Sequence, residues 1–510
     1  MVINIERKQN SKNILMNVLA FSVQFIISFY ISPIIVSKVG ASAYGFIGLA
    51  NDFVSYASIL ATVFNSVASR FIADAFYRRD YEKANKYFNS LVVANFVVAG
   101  ILGGAGIVLI PNLVNILSIP IGLVIDVELT FALIFASYVI SLITLVFTTS
   151  TFVTNRTDVQ GIRNIIQYIV RFALIIIFLN FVSIRIYWVA VATLVATIIV
   201  AIMNVDLTRR LTPELRINLK DARKEYALDL AKSGCWMALG SVSTILLRGL
   251  DLTVANLLIG DYEMGLLSIA RTMPNNVTSV ITTIAPIFTP VFIAFFTKGD
   301  INGLINNVRR SINTMALLLF VPITGFIVFS YDFYTLWQKS LSEKELLLVT
   351  LLSILTVIQS YFDSTTSTMA QLSVIVNKLR LPVVISLGCG IISIITEIIM
   401  IKMFGLGLYA IVLSTTVVMI IRYTIFNSVY AAWCLKQKKW CFISTVLKTW
   451  LSIPILLFVM LGVKIFMPIN SWGNLCVDIV ICGGLGYFIM FLLYGRDDLK
   501  KIIHKNKKKG

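Results

Sequence analysis

Arg248 and Arg271 each sit inside a long apolar run, where a charge needs a reason. A guanidinium is a planar fork of donors that matches a phosphate or carboxylate bidentately. At the centre of a membrane-crossing helix a charge costs about 2.5–3.5 kcal/mol on insertion scales. Both arginines therefore need water or a fixed partner, and a wet cavity holding them favours an anionic group. Each also has a plainer reading. Asp251 stands three residues after Arg248, on the same helical face and within ion-pair reach. Arg271 lies near enough to one membrane face to snorkel, as do Arg171 and Arg422 near the other.

Two polar stripes accompany the arginines. Asn51, Ser55, Ser58, Thr62, Ser66 and Ser69 recur at spacings of three and four, which places them on one face of a helix. Arg271, Asn275, Thr278, Thr282, Pro286 and Thr289 repeat those six positions 220 residues later. Lipid cannot satisfy such groups, so the stripes should face protein or water; ordinary helix packing also uses Ser and Thr. Asn17, Gln24 and Ser28 extend the polar surface to the preceding helix, and Arg70 stands beside Ser69. The acidic residues within helices are Asp52, Asp251, Asp363 and Glu397, each a candidate for taking up H+ or Na+ or for a neutralised structural carboxyl. Six dispersed Cys without a CxxC, and a single His, exclude a metal cluster, and nothing implies a cofactor.

The elements that position these residues are membrane helices. The 510 residues are 58% hydrophobic and 13% charged, with mean hydropathy +0.88. Fourteen apolar runs are long enough to cross a bilayer, near 14–37, 44–72, 88–110, 128–154, 163–184, 186–205, 233–259, 264–297, 311–331, 346–377, 381–402, 407–434, 445–467 and 473–494. The first is too long for a signal-peptide core and lacks a clear cleavage site, so it is expected to be retained. Lys and Arg gather on one side. Only Lys38, Arg185, Lys339, Lys344, Lys402 and Lys464 fall opposite, and four arginines lie within helices. By the positive-inside rule both termini are cytoplasmic. The charge of +18 is mostly this signal and implies no nucleic-acid partner. The basic end of the chain, Lys500, Lys501, Lys505, Lys507, Lys508 and Lys509, reads as a stop-transfer anchor or a hold on anionic headgroups.

The halves repeat. Gly40-Ala41-Ser42-Ala43-Tyr44-Gly45 aligns with Gly260-Asp261-Tyr262-Glu263-Met264-Gly265, and Asp80 aligns with Asp300. Further on the offset becomes 222, where Asn155-Arg156 matches Asn377-Lys378. Six helices separate the copies, so they are parallel repeats, with a path expected between them near the midplane. The expectation is an all-α polytopic membrane protein: a six-helix lobe over 1–210, a basic linker over 211–232, a second lobe over 233–434, two further helices over 435–494 and a basic tail over 495–510. The partner of Ser28 is Arg248 and that of Asn51 is Arg271, so the buried cations fall in the second copy. Pro274, Pro286 and Pro290 should bend the eighth helix.

Gly40-x-x-x-Tyr44-Gly45, Ser69-Arg70-Phe71-Ile72, the segment Arg78-Arg79-Asp80-Tyr81-Glu82-Lys83-Ala84-Asn85 and Gly260-x-x-x-x-Gly265, with the helix count and repeat, resemble the multidrug/oligosaccharidyl-lipid/polysaccharide exporter superfamily. Within it the chain resembles the Wzx-type flippases. The resemblance implies a MATE-like fold in a bacterial cytoplasmic membrane, where the first, second, seventh and eighth helices line a cationic cavity. It implies flipping of an undecaprenyl-pyrophosphate-linked oligosaccharide, a precursor of O-antigen, capsule or exopolysaccharide, to the outer leaflet by alternating access. An H+ or Na+ gradient would drive it, and a polysaccharide polymerase and export machinery would be partners. Arg248 and Arg271 would hold the headgroup, while Gln24, Asn51, Ser55, Thr62, Asn275, Thr278 and Arg70 contact the rest. A lipid II flippase shares this chemistry. A multidrug exporter would need a cavity dominated by acidic residues. A membrane glycosyltransferase would need an outer-loop acid, and Asp126-Val127-Glu128 lies at an outer loop.

Overall fold

The computed structural model describes residues 2–467 and 469–495; the lysines of the basic end lie outside them. Among the described residues fourteen helices are long and apolar enough to cross a membrane. They are α1 (Ser11–Val39), α2 (Ala41–Tyr77), α3 (Tyr81–Ile116), α4 (Ile121–Val153), α5 (Thr157–Phe181), α6 (Tyr187–Leu211), α7 (Lys224–Gly249), α8 (Asp261–Thr297), α9 (Ile301–Trp337), α10 (Glu343–Ile375), α11 (Arg380–Phe404), α12 (Leu408–Cys434), α13 (Ile443–Phe466) and α14 (Trp472–Tyr494). Each expected apolar run is present. Helices outlast the runs because backbone hydrogen bonding continues through polar flanks: α2 reaches Tyr77 and α7 begins at Lys224. Large side chains such as Ile107, Phe458, Ile465 and Phe466 stand exposed, as a lipid-facing surface requires. The protein is an all-helical, multi-pass membrane protein.

The repeat is visible in backbone detail. After α2, Arg79 takes a left-handed φ of 60° and Asp80 caps α3 by accepting from the Lys83 N–H. After α8, Gly299 takes φ 72° and Asp300 caps α9 by accepting from the Gly303 N–H. After α4 and α10, Asn155 and Asn377 take φ 53° and 55°. Asn tolerates that region better than most residues with a Cβ. The paired motifs thus record shared turn geometry.

By packing, the chain divides within α8 into Met1–Ile269 and Ala270–Gly510. In the first unit α2 is the central helix. A Cβ on Gly234 of α7 would strike the Val63 carbonyl of α2, and one on Gly45 would lie 2.8 Å from the Gly265 Cα. The glycines aligned by the repeat therefore touch one another, and Ser42 donates to Asp261 beside them. Small residues allow this close backbone approach where the hydrophobic effect offers no drive. Asn65 and Asn95 bond reciprocally at 2.8 and 3.2 Å, and Asn95 also donates to the Leu142 carbonyl, joining α2, α3 and α4. The segment before α7 is docked on α3. Asn85 and Asn89 bond the backbone of Glu214, Arg216 and Asn218, and Ser90 bonds that of Arg223.

In the second unit α9 and α10 form the core pair. Hydroxyls join them: Ser311 to Thr368 at 3.0 Å, Thr324 with Tyr361 at 2.7 Å, and Tyr334 to Ser353 at 2.9 Å. The last two helices pack on α9 through Leu456, Met460, Leu475 and Cys482. A Cβ on Gly486 would meet Val321 at 3.0 Å and Met460 at 3.1 Å. Of the three prolines in α8, Pro274 stays within regular helix, Pro286 falls in a 3-10 turn over Ala285–Phe288, and Pro290 starts the last segment. The expected disruption is thus at Pro286.

Gly45→Val and Gly265→Val should each destabilise the fold by about 1–3 kcal/mol, the usual cost of overpacking. Thermal unfolding in detergent measures it. Gly100→Val, where a Cβ meets nothing within 4 Å, is the control, and equal melting of all three variants would refute the glycine contact.

Candidate functional site

The seam between α2 and α7 carries the most unusual backbone in the first unit. α7 is a regular helix from Lys224 to Thr244 and then widens into a π turn over Ile245–Gly249. A new helix, Asp251–Leu258, follows Leu250. The sequence reads 233–259 as one helix; the structure breaks it at Gly249-Leu250. A π turn leaves backbone groups without regular partners and is found often at functional sites. Here a side chain meets one of them: the Tyr56 hydroxyl of α2 donates to the Gly249 carbonyl and lies 3.1 Å from the Thr253 hydroxyl. Arg248, half-buried, is the residue before that pinned carbonyl. Asp251 is buried in the first turn of the new helix, where the helix dipole favours a negative charge. Arg248 and Asp251 thus stand on either side of a break.

The α2 stripe satisfies itself in part. Asn51, Ser55, Ser58 and Thr62 donate to carbonyls three or four residues back, at 2.7–3.0 Å. Such back-bonding leaves the hydroxyl lone pairs facing outward. Asn51, Ser55 and Arg70 are exposed and Thr62 is half-buried. Gln24 of α1 is exposed and accepts from the Tyr168 hydroxyl of α5 at 3.0 Å. Exposed polar side chains halfway along membrane helices require water nearby. In the second unit, the same face of α8 holds Arg271 and Thr278 half-buried and Asn275 exposed. Tyr56 is absent from the sequence-based candidates; only the break it pins shows its role, and no residue type announces that break.

The carboxylates separate by surroundings. Asp52 is half-buried next to exposed Asn51. Asp363 is buried on α10 among Gln359, Ser360, Ser364, Thr365 and Thr366. Glu397 of α11 is 2% exposed and accepts from Ser393 at 3.0 Å and Thr415 of α12 at 3.1 Å. The four acids named from the sequence leave out Asp478, which lies inside the last apolar run, and the structure adds others. Asp158 is fully buried at the start of α5, paired with Lys12 at 3.0 Å and Arg156 at 3.1 Å and accepting from Gln9 at 2.9 Å. Asp332 and Asp478 lie in α9 and α14. Asp126, the outer-loop acid a glycosyltransferase would need, is buried and paired with Arg185 at 3.2 Å. Arg163, at the first position of the fifth apolar run, is 2% exposed within α5 and donates to Asn204.

A cavity of about 600 Å³ opens between α2, α3 and the start of α7. Leu60, Val63, Val97 and Ile101 line it, together with Arg223 and Lys224. It has the size of a ligand site and lines mostly apolar wall with two cations.

Residues 11–296, more than half of the chain, match the family described as polysaccharide biosynthesis protein. The uncharacterized membrane protein EpsK of Bacillus subtilis (strain 168) is 22% identical over 499 residues, 97% of each chain. The lipid II flippase MurJ in an inward closed conformation superposes with TM-score 0.70 at 15% identity, over 95% of this chain and all of that one. An inward-facing multidrug resistance MATE family transporter of the MOP superfamily superposes with TM-score 0.69 at 15% identity, over 81% of this chain and 94% of that one. At these identities the superpositions show a shared fold.

Tyr56→Phe should remove one hydrogen bond and about 1 kcal/mol of local stability. Amide exchange across residues 244–252 should then quicken about fivefold; an unchanged rate would mean that Tyr56 does not hold the break. Glu397→Leu strands the Ser393 and Thr415 hydroxyls and should cost about 1–3 kcal/mol, while Glu397→Gln keeps an acceptor and should cost less. Thermal unfolding decides, and equal costs would show that the negative charge itself stabilises the site.

Proposed function

The chain belongs to the polysaccharide biosynthesis protein family, and from that premise we propose that it is a flippase for a polyprenyl-pyrophosphate-linked oligosaccharide. The observation that carries the reading is Arg248 on a broken turn inside a membrane-spanning helix, its carbonyl neighbour held by Tyr56. Broken membrane helices bring backbone polarity and charge to a substrate at depth. A guanidinium there suits a pyrophosphate, and the exposed hydroxyl and amide groups of α1, α2 and α8 suit sugar hydroxyls. The mostly apolar α2–α3–α7 cavity suits a stretch of prenyl chain.

The cycle follows from these parts. Lipid-linked sugar enters from the basic, cytoplasmic side of a bacterial cytoplasmic membrane while most of its tail stays in lipid. Arg248 and Arg271 hold the pyrophosphate; Gln24, Asn51, Ser55, Thr62, Arg70, Asn275 and Thr278 contact the headgroup along its path. The protein then closes behind the sugar and opens to the other face. Uptake of H+ or Na+ at Asp52, Asp251, Asp363 or Glu397 drives the return. A polymerase and export machinery take the product.

The test is flipping of a fluorescent undecaprenyl-pyrophosphate oligosaccharide in proteoliposomes. A charge-assisted contact contributes about 1.5–3 kcal/mol, so Arg248→Ala and Arg271→Ala should each slow flipping roughly ten- to hundredfold. Full activity in both variants would reject the cationic site. Flipping of lipid II in preference to other sugars would move the substrate within the same chemistry. Export of a cationic dye with no lipid flipping would sink the flippase reading.

A further inference from the structure

A charged cluster lies where α13 and α14 pack on α9, apart from every residue assigned above. The Lys464 ammonium of α13 donates to the Val328 carbonyl at 2.8 Å and pairs with Asp332 of α9 at 2.6 Å. Its nitrogen is 5.8 Å from the centre of the Phe329 ring. Asp478 of α14 is 1% exposed. Neither of its carboxyl oxygens has a hydrogen-bond partner among the described residues. It lies within electrostatic reach of Asp332 and of Cys482, one turn further along α14. The charged and titratable groups brought near it are Asp332 from α9, which carries Lys464 of α13 as its ion-pair partner, and Cys482 from its own helix. The close approach of Gly486 to Val321 and Met460 fixes α14 against its neighbours, so Asp478 does not reach water by a small tilt of the helix.

An ionised carboxylate with no donor, buried in a membrane protein, costs several kcal/mol. One ammonium cannot balance two carboxylates, and Lys464 is committed to Asp332. A metal cation needs a shell of several oxygens; the carbonyl at this place already accepts from Lys464. A proton needs one oxygen. We propose that Asp332, Lys464 and Asp478 form a proton-binding site in which Asp478 carries the proton while Lys464 pairs with Asp332. The bond formed is O–H on the Asp478 carboxyl; the proton comes from water and returns to it. Loss of that proton draws Lys464 from Asp332 to Asp478, so the protonation state of α14 sets which helix α13 is tied to. This inference rests on membrane insertion and not on the flippase reading.

Infrared difference spectroscopy of the full-length protein in lipid nanodiscs tests it, since a protonated carboxyl has its own C=O stretch. Wild type at neutral pH should show a buried acid band that shifts in D2O. Asp478→Asn should lose one carboxyl's worth of that band, and Glu397→Gln should keep the Asp478 contribution. Asp332→Asn, a milder change at a half-buried residue, leaves Lys464 to Asp478 and should also lose the band although Asp478 is intact. This second variant carries the test if Asp478→Asn does not fold. A band untouched by Asp478→Asn, or retained in Asp332→Asn, overturns the proposal. So does a band removed by NaCl at constant pH, which would make the site one for sodium. Flipping activity enters none of these readouts, so failure here and failure of the transport assay are separate results.

Discussion

Within a bilayer no water is at hand to satisfy a polar group, and every other feature of this protein follows from that constraint. The helices themselves answer it for the backbone. The side chains answer it in three ways. Stripe hydroxyls on α2 bond back to their own helix. Asn65 and Asn95 bond each other across helices, and Ser393, Thr415 and Glu397 share one buried knot. Glycines at Gly45, Gly234 and Gly265 bring backbones together so that dispersion replaces the missing hydrophobic drive.

Charges obey the same constraint more strictly. Asp158 has Lys12, Arg156 and Gln9 around it, and Asp126 has Arg185. These acids sit at helix ends, where partners from loops reach them, and they tie α5 to α1 and α4 to the segment before α6. Their work is structural. Breaking one such pair leaves its partner buried and costs more than the pair contributes, which explains why few charges sit this deep.

The helix count was legible because hydropathy reports burial in lipid directly, and the fourteen runs correspond to α1–α14. The repeat was legible because a left-handed turn and an Asp cap restrict residue choice: Asp80 with Asp300, Asn155 with Asn377. The break in α7 was not, since Ile245-Leu246-Leu247-Arg248-Gly249 holds no proline and a lone glycine is common inside membrane helices. The group that meets that turn is the hydroxyl of Tyr56, 193 residues away in sequence. Arg163 opens the fifth apolar run, and its burial was not legible because the acceptor, Asn204, comes from the next helix. Asp478 stood in plain view, six residues into the last apolar run, but its isolation appears only when α9 and α13 are packed against it.

Arg248 and the π turn coincide within five residues, and both call for polar surroundings rather than lipid. A guanidinium facing lipid costs several kcal/mol. A widened turn facing lipid exposes backbone groups at a further cost each. Placed together against lipid, the two costs would add, and ordinary helix would be the cheaper backbone. Placed together against polar protein groups, water or a polar ligand, one volume of polar matter offsets both. Tyr56 adds a third polar atom to the same place, bonded to the very carbonyl that the turn exposes. The exposed Asn51 and Ser55 lie within two turns of Tyr56 on the same helix. The charge, the widened turn and the tyrosine hydroxyl thus gather at one place on the α2–α7 seam, where polar partners serve all of them together.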